Sequence, residues 1–195
     1  MRKKIFNKAL KVLLGTNALI LLAAAMLAPI YALFVEEIGG DLMDASIAGF
    51  LFALSAGVIT LLSGKVSDKV RHSEHVLMLG YALMGIGFLL FLFVHSVTTL
   101  FIIQVLIGIG EAIYSPAFDK LYSEHLVDGK YGVEWGTWES MYYFTTAFGA
   151  ILGGLLVTRF GFPALFLSMS FLSFASGLYL YLLSPRRSGK CMSGR

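Results

Sequence analysis

Runs of about 20 apolar residues recur along this chain, and nothing else in it restricts the possible folds so strongly. A bilayer core of about 30 Å takes about 20 helical residues per crossing. Segments 12–35, 45–63, 76–94, 97–118, 140–158 and 162–184 each meet that length with few or no charges. Backbone groups facing lipid find no water, so only helices and closed barrels span a bilayer. The alternating pattern of barrel strands is missing. The expected fold is an all-α integral membrane protein with six transmembrane helices, multi-pass in a cell membrane. Composition agrees: 57% of residues are hydrophobic and 14% charged, and the mean hydropathy is +0.80, too apolar for a domain with water on all sides. Outside the six-helix domain 12–184 lie a basic N-terminus, 1–11, and a basic Gly/Ser-rich tail, 185–195, whose composition suits a flexible segment.

The start, MRKKIFNKALK followed by an apolar run holding Ala23, Ala24 and Ala25, has elements of a cleavable signal. The run continues unbroken through Pro29, Tyr31 and Phe34, so it reads as a first span.

Cation placement predicts orientation. Lys and Arg cluster before the first span (Arg2, Lys3, Lys4, Lys8, Lys11), in the second connection (Lys65, Lys69, Arg71), in the fourth (Lys120, Lys130) and in the tail (Arg186, Arg187, Lys190, Arg195). The other side carries only Arg159, beside the acidic Glu36, Glu37, Asp41 and Asp44. Both termini are expected in the cytoplasm. Topology absorbs the net charge of +3, so no nucleic-acid partner is called for. It also accounts for the cations of the stretch GKVSDKVRHSEH at 64–75, read as a cytoplasmic loop, but not for Asp68 and Glu74.

Helices in lipid approach closely through small residues on one face. The second span offers Gly49, Ala53, Gly57, Thr60 and Gly64, the third Gly80, Met84 and Gly87, and the fifth Thr146, Gly149 and Gly153. Helix packing accounts for all three stripes. The fourth span differs, because Gln104, Gly108, Glu111 and Ser115 share one narrow face and include a carboxylate. A charge at mid-membrane costs about 2.5 to 3.5 kcal/mol on insertion scales, and such residues face a bundle interior or an aqueous cavity. Glu111 is therefore the candidate proton carrier; the alternative is that it lies near enough to the cytoplasmic end to reach water. Pro116 is expected to kink the same helix. In the first span Asn17 and Tyr31, with Thr16 nearby, fall roughly on one face; they read as interhelical glue or as lining of a solute path. Trp135 and Trp138 suit an interfacial anchor in the mixed-charge segment 119–140.

No His pair, nucleophile with base or phosphate loop lies in or near the membrane, so an enzyme is not expected. His72 and His75 read as solvent-facing rather than metal-binding. With a single cysteine, Cys191, no intrachain disulfide or cysteine metal cluster is possible. No cofactor or metal is expected.

Gly64, Asp68 and Lys69 resemble, in type and spacing, the G-x-x-x-D-R/K signature between the second and third helices of the major facilitator superfamily, although Arg71, His72 and Ser73 depart from its continuation. Further pieces follow in order. Gln104, Gly108, Gly110 and Ala112 resemble the family's R-x-x-x-G-x-G-x-A pattern with Gln for Arg. Gly149, Ala150, Gly153 and Gly154 resemble the antiporter G-P-x-x-G-G pattern with Ala for Pro. Arg159, Phe160, Gly161 and Phe162 resemble the entry to the sixth helix, and Ser115, Pro116, Ala117 and Glu124 the end of the fourth. The resemblance runs from about Val12 to Leu183. It implies two inverted three-helix repeats, and a shift of ninety residues indeed carries Gly64 onto Gly154 and Lys69 onto Arg159.

The resemblance further implies secondary transport of a small organic solute by alternating access, with proton-coupled efflux as one form. Glu111, Gln104, Asn17 and Tyr31 would line the solute and proton pathway. Asp68, Lys69 or Arg71, and Glu124 would form a cytoplasmic latch, while Gly149, Gly153 and Gly154 would serve helix packing. Because family members pair two six-helix halves, the chain is expected to form a homodimer, to pair with another half, or to be a truncated fragment. Membrane lipid surrounds any such assembly. A non-transporting scaffold or accessory subunit is the alternative function.

Overall fold

The computed structural model of the chain describes residues 8–70 and 72–183. Its helices are α1 (Lys8–Leu27), α2 (Tyr31–Glu37), α3 (Leu42–Lys69), α4 (Ser73–Leu90), α5 (Val97–Glu124) and α6 (Tyr131–Leu183), with 3-10 turns at Ala28–Ile30 and Phe91–Phe93; the described residues hold no strand. Five stretches are long and apolar enough to cross a membrane: Lys8–Glu37, Leu42–Lys69, Ser73–Phe93, Val97–Glu124 and Tyr131–Leu183.

The fifth and sixth apolar segments both fall within α6. A straight helix of 53 residues would be about 80 Å long, far beyond a bilayer core. Instead the backbone leaves helical geometry at Gly161, where φ is 77° and ψ is 175°, a conformation open to glycine and strained for other residues. The chain folds back there. Before Gly161, Gly149 abuts Ala25 and Gly153 abuts Met26. After it, Phe166 meets Phe34 edge to face with ring centroids 4.9 Å apart, and Ser176 donates to the Thr16 carbonyl at 3.0 Å. The first limb of α6 thus runs with α1, and the second returns against it.

Polar caps carry the helices past the ends of their apolar runs. At the start of α3 the Asp44 amide donates to Asp41 at 2.9 Å and the Asp41 amide to Asp44 at 3.0 Å, a reciprocal capping box. Ser96 caps α5 by accepting from the Thr99 amide at 3.3 Å. Pro116 lies inside α5, which continues through it to Glu124. The same continuation corrects the reading of 64–75 as a loop: Gly64, Asp68 and Lys69 occupy the last turns of α3, and α4 starts at Ser73. Arg71 lies outside the described residues.

α1 packs along α6, α3 along α5, and α4 against both α5 and α6. Small residues and serine hydroxyls permit these contacts, as expected where the solvent is as apolar as the side chains. A Cβ at Gly80 would fall 2.7 Å from the Tyr114 amide nitrogen, and one at Gly149 would fall 2.6 Å from the Ala25 Cβ. Ser63 donates to the Ala112 carbonyl and Ser170 to the Gly85 carbonyl. The α3 stripe behaves otherwise. Added Cβ atoms at Gly49, Gly57 and Gly64 would meet nothing within 4 Å. The neighbouring face of Phe52, Ser55 and Ala56 is the one that meets Gly108 of α5, because its hydroxyl can bond the facing backbone while the glycines cannot.

Candidate functional site

Where α1, α2, α3, α4, α5 and the second limb of α6 converge they border an open cavity of about 320 Å³. Ala28, Gly49, Phe52, Phe88, Ile107 and Met169 supply apolar walls, and Tyr31, Gln104 and Glu111 are its polar lining. The geometry follows from the helix periods. Gln104, Ile107 and Glu111 are spaced three and four apart on α5 and therefore share a face. Tyr31 joins them from the first turn of α2, just after the 3-10 turn at Ala28–Ile30 that holds Pro29.

Inside the cavity Gln104 Nε2 donates to Tyr31 Oη at 2.7 Å, fixing both side chains. The carboxylate of Glu111 accepts at Oε1 from Tyr114 Oη at 3.0 Å. An amide, a phenol and a carboxylate in an otherwise apolar chamber can orient the polar head of a solute while Phe52, Phe88 and Phe91 take its apolar body. A larger groove of about 850 Å³ between α1 and the first limb of α6 is lined by Leu19, Met141, Phe144 and Phe148, with no ionisable side chain. It offers chain-like apolar surface rather than oriented chemistry.

Three of the residues expected along the pathway, Tyr31, Gln104 and Glu111, thus meet in one chamber. Asn17 does not line it. Asn17 is almost fully buried and does not share the cavity with Tyr31. Gly149 and Gly153 are both in tight contact with α1, while a Cβ at Gly154 would enter open space. Asp68, Lys69 and Glu124 are exposed, and among the described residues, which exclude Arg71, no ion pair joins Asp68 or Lys69 to Glu124.

What ties this end of α3 to α5 is Lys120. Its Nζ donates to the Ser67 carbonyl at 2.7 Å and to the Val70 carbonyl at 3.2 Å. Both carbonyls sit at the helix end, where no intrahelical donor reaches them and the helix dipole favours a cation. The sequence reading counted Lys120 only as a topological charge. A signal was available: Ala117, Phe118, Leu121 and Tyr122 keep the helical spacing of α5 beyond Phe118 and are all buried. Glu134 was also missed. It is fully buried, with Oε2 accepting from the Val127 amide at 2.8 Å, and the Tyr122 hydroxyl donating to its carbonyl. It straps the connection between α5 and α6. An acid before two tryptophans at a helix start is a weak hint, and the sequence offers no stronger one.

The profile of one protein family, described as the Major Facilitator Superfamily, matches residues 13–191. The chain is similar to a protein of Bacillus subtilis called uncharacterized MFS-type transporter YitZ, with 30% identity over 161 residues, 81% of this chain and 96% of that protein. It is similar to multidrug resistance protein MdtG of Yersinia enterocolitica at 26% identity, over 95% of this chain but 47% of MdtG. A third relative, the tetracenomycin C resistance and export protein of Streptomyces glaucescens, is 32% identical over 60% of this chain and 21% of its own length. Thus the chain spans nearly all of YitZ and about half of MdtG. In fold it matches the crystal structure of the POT family transporter PepTSo with a TM-score of 0.73 at 19% identity, covering 93% of this chain and 38% of that one.

Proposed function

The chain belongs to the major facilitator superfamily, a family of transporters rather than enzymes, and on that premise we propose that it moves a small organic solute across a cell membrane by alternating access, driven by protons taken up at Glu111. The observation that supports this reading most is that a carboxylate, Glu111, lines the same cavity as the hydrogen-bonded amide–phenol pair Gln104–Tyr31. A carboxylate in that setting can exchange a proton for a solute cation or hydrogen-bond donor. The names of two relatives, multidrug resistance protein and resistance and export protein, favour efflux as the direction.

In this reading α6 crosses twice, turning at Gly161, which gives six crossings. The cation distribution then puts both termini in the cytoplasm. One copy supplies one wall of the solute path, and a second six-helix unit supplies the other. In this reading that unit is a second copy of the same chain, arranged about a two-fold axis along the membrane normal so that both copies keep one orientation, or another six-helix half.

Everted vesicles carrying the chain, energised by an imposed pH gradient, test the reading with ethidium as a planar organic cation. Gradient-dependent accumulation is expected for the parent and loss of it for Glu111→Gln. Accumulation by Glu111→Gln with the parent's pH dependence refutes the carrier role.

A further inference from the structure

A second pocket of about 320 Å³ opens at the end of the bundle where α2 stops, opposite the start of α1. Four phenylalanines, Phe34, Phe91, Phe162 and Phe166, line it together with Glu37 and His95. The four rings are buried, whereas Glu37 and His95 are exposed, so the rings form the floor and the polar side chains the rim. Phe34 meets Phe91 and Phe166 edge to face, with centroids 5.7 and 4.9 Å apart. Phe91 and Phe162 each stack on Phe166, at 5.0 and 5.9 Å. Rings paired in these geometries make a rigid apolar floor.

The helix periods that build the inner cavity also build this pocket. Tyr31 and Phe34, Phe88 and Phe91, and Met169 and Phe166 are each three residues apart, so each segment gives one residue to the inner cavity and the next turn to the outer pocket. Phe91 lines both, and the two spaces share a wall there.

The rim sets the sign of the ligand. Glu37 brings a carboxylate, and no lysine or arginine lines the pocket to neutralise it. An anion would be repelled, and a purely apolar molecule would leave the rim unused. An organic cation satisfies both layers: the carboxylate takes its charge, and the phenylalanines take its body with a cation–π contribution.

We propose that this outer pocket is a second binding site, for an organic cation carried on an apolar body, with Glu37 as the group that holds the charge. The site goes beyond the reading of the inner cavity and stands whether or not Glu111 carries a proton. A free solute and the amine headgroup of a lipid share this chemistry.

Equilibrium dialysis of ethidium against the full chain in non-ionic detergent counts the sites. Two sites per chain are expected. Glu37→Gln should weaken one of them about threefold at low salt, the scale of one exposed charge pair, and Glu37→Lys should weaken it further, while Glu37→Asp restores the parent's affinity. Leu92→Trp, which fills the pocket from a half-buried lining position, should remove the same site. Retention of the other site, the one that Glu111→Gln weakens, shows that each variant is folded. Ethidium binding unmoved by both Glu37→Lys and Leu92→Trp would overturn the outer site and leave the inner one standing. A site that depends on Glu37 while Glu111→Gln changes nothing would support the outer site and remove the solute from the inner cavity. Nanodiscs with and without phosphatidylethanolamine separate the two sources: competition by this lipid at the Glu37-dependent site assigns it to a headgroup amine, and the lack of competition to a free solute.

Discussion

Two adjacent glycines of α6 face opposite surroundings, and alanine at each gives a controlled measure of how closely α6 approaches α1. A Cβ on Gly153 would lie 2.7 Å from the carbonyl carbon and 2.9 Å from the Cα of Met26. These are backbone atoms of α1 and cannot rotate away, so the helices must separate. A Cβ on Gly154 meets nothing within 4 Å. Both substitutions gain about 0.8 to 1 kcal/mol of helix propensity, a term that cancels between them. Forcing a methyl into a packed contact costs about 1 to 3 kcal/mol. Gly153→Ala should therefore be less stable than Gly154→Ala by about that amount, with Gly154→Ala at least as stable as the parent. Unfolding in mixed micelles with rising dodecyl sulfate, followed by Trp135 and Trp138 emission, reads the difference. The strain also reaches function, since Leu27 and Ala28, which follow Met26, line the cavity. Equal stability of the two variants would refute the close approach of α1 and the first limb of α6.

Lys120→Met should destabilise the chain by about 1 kcal/mol, because two carbonyls at the end of α3 lose a charged donor that is only partly buried; the same micelle titration checks it, and no change would leave α3 without its proposed cap. Gln104→Leu and Tyr31→Phe should each weaken solute binding, with a coupling energy of about 1 kcal/mol in the double-mutant cycle. Additive losses, measured by ethidium fluorescence titration, would mean that the pair does not act together. Glu134→Ala removes the acceptor of the Val127 amide and should speed tryptic cleavage after Lys130, read on gels; unchanged cleavage would show that the strap is dispensable.

Much of the bundle was legible because membrane helices announce themselves by length and hydropathy. Of the carboxylate face read as Gln104, Gly108, Glu111 and Ser115, the period brought Gln104 and Glu111 together, whereas Gly108 meets α3 and Ile107 lines the cavity instead. What escaped depended on local breaks and caps. Pro29 sits in an otherwise uniform apolar run, so the 3-10 turn between Asn17 and Tyr31, only the second of which lines the cavity, could not be read from spacing. The charges of 64–75 masked the continuation of α3, because polar residues in the last turns of a helix look like loop when hydropathy is the guide. Within one chain α3 packs through its serines rather than its glycine stripe, and only tertiary contact shows that Ser55 and Ser63 meet α5. Glu134 is buried by a connection whose shape no pattern encodes.

Alternation of the cavity between the two membrane faces is the central claim, and cysteine accessibility measures it directly. Gly49 borders the cavity and has open space at its Cβ position, so Gly49→Cys is tolerated; with the single native Cys191 replaced by serine it becomes the sole thiol. Membrane-impermeant maleimide applied from either face, at acid and at alkaline pH, should label this thiol from one face under one condition and from the other face under the opposite condition. Labelling from one face alone at every pH would contradict transport by alternating access.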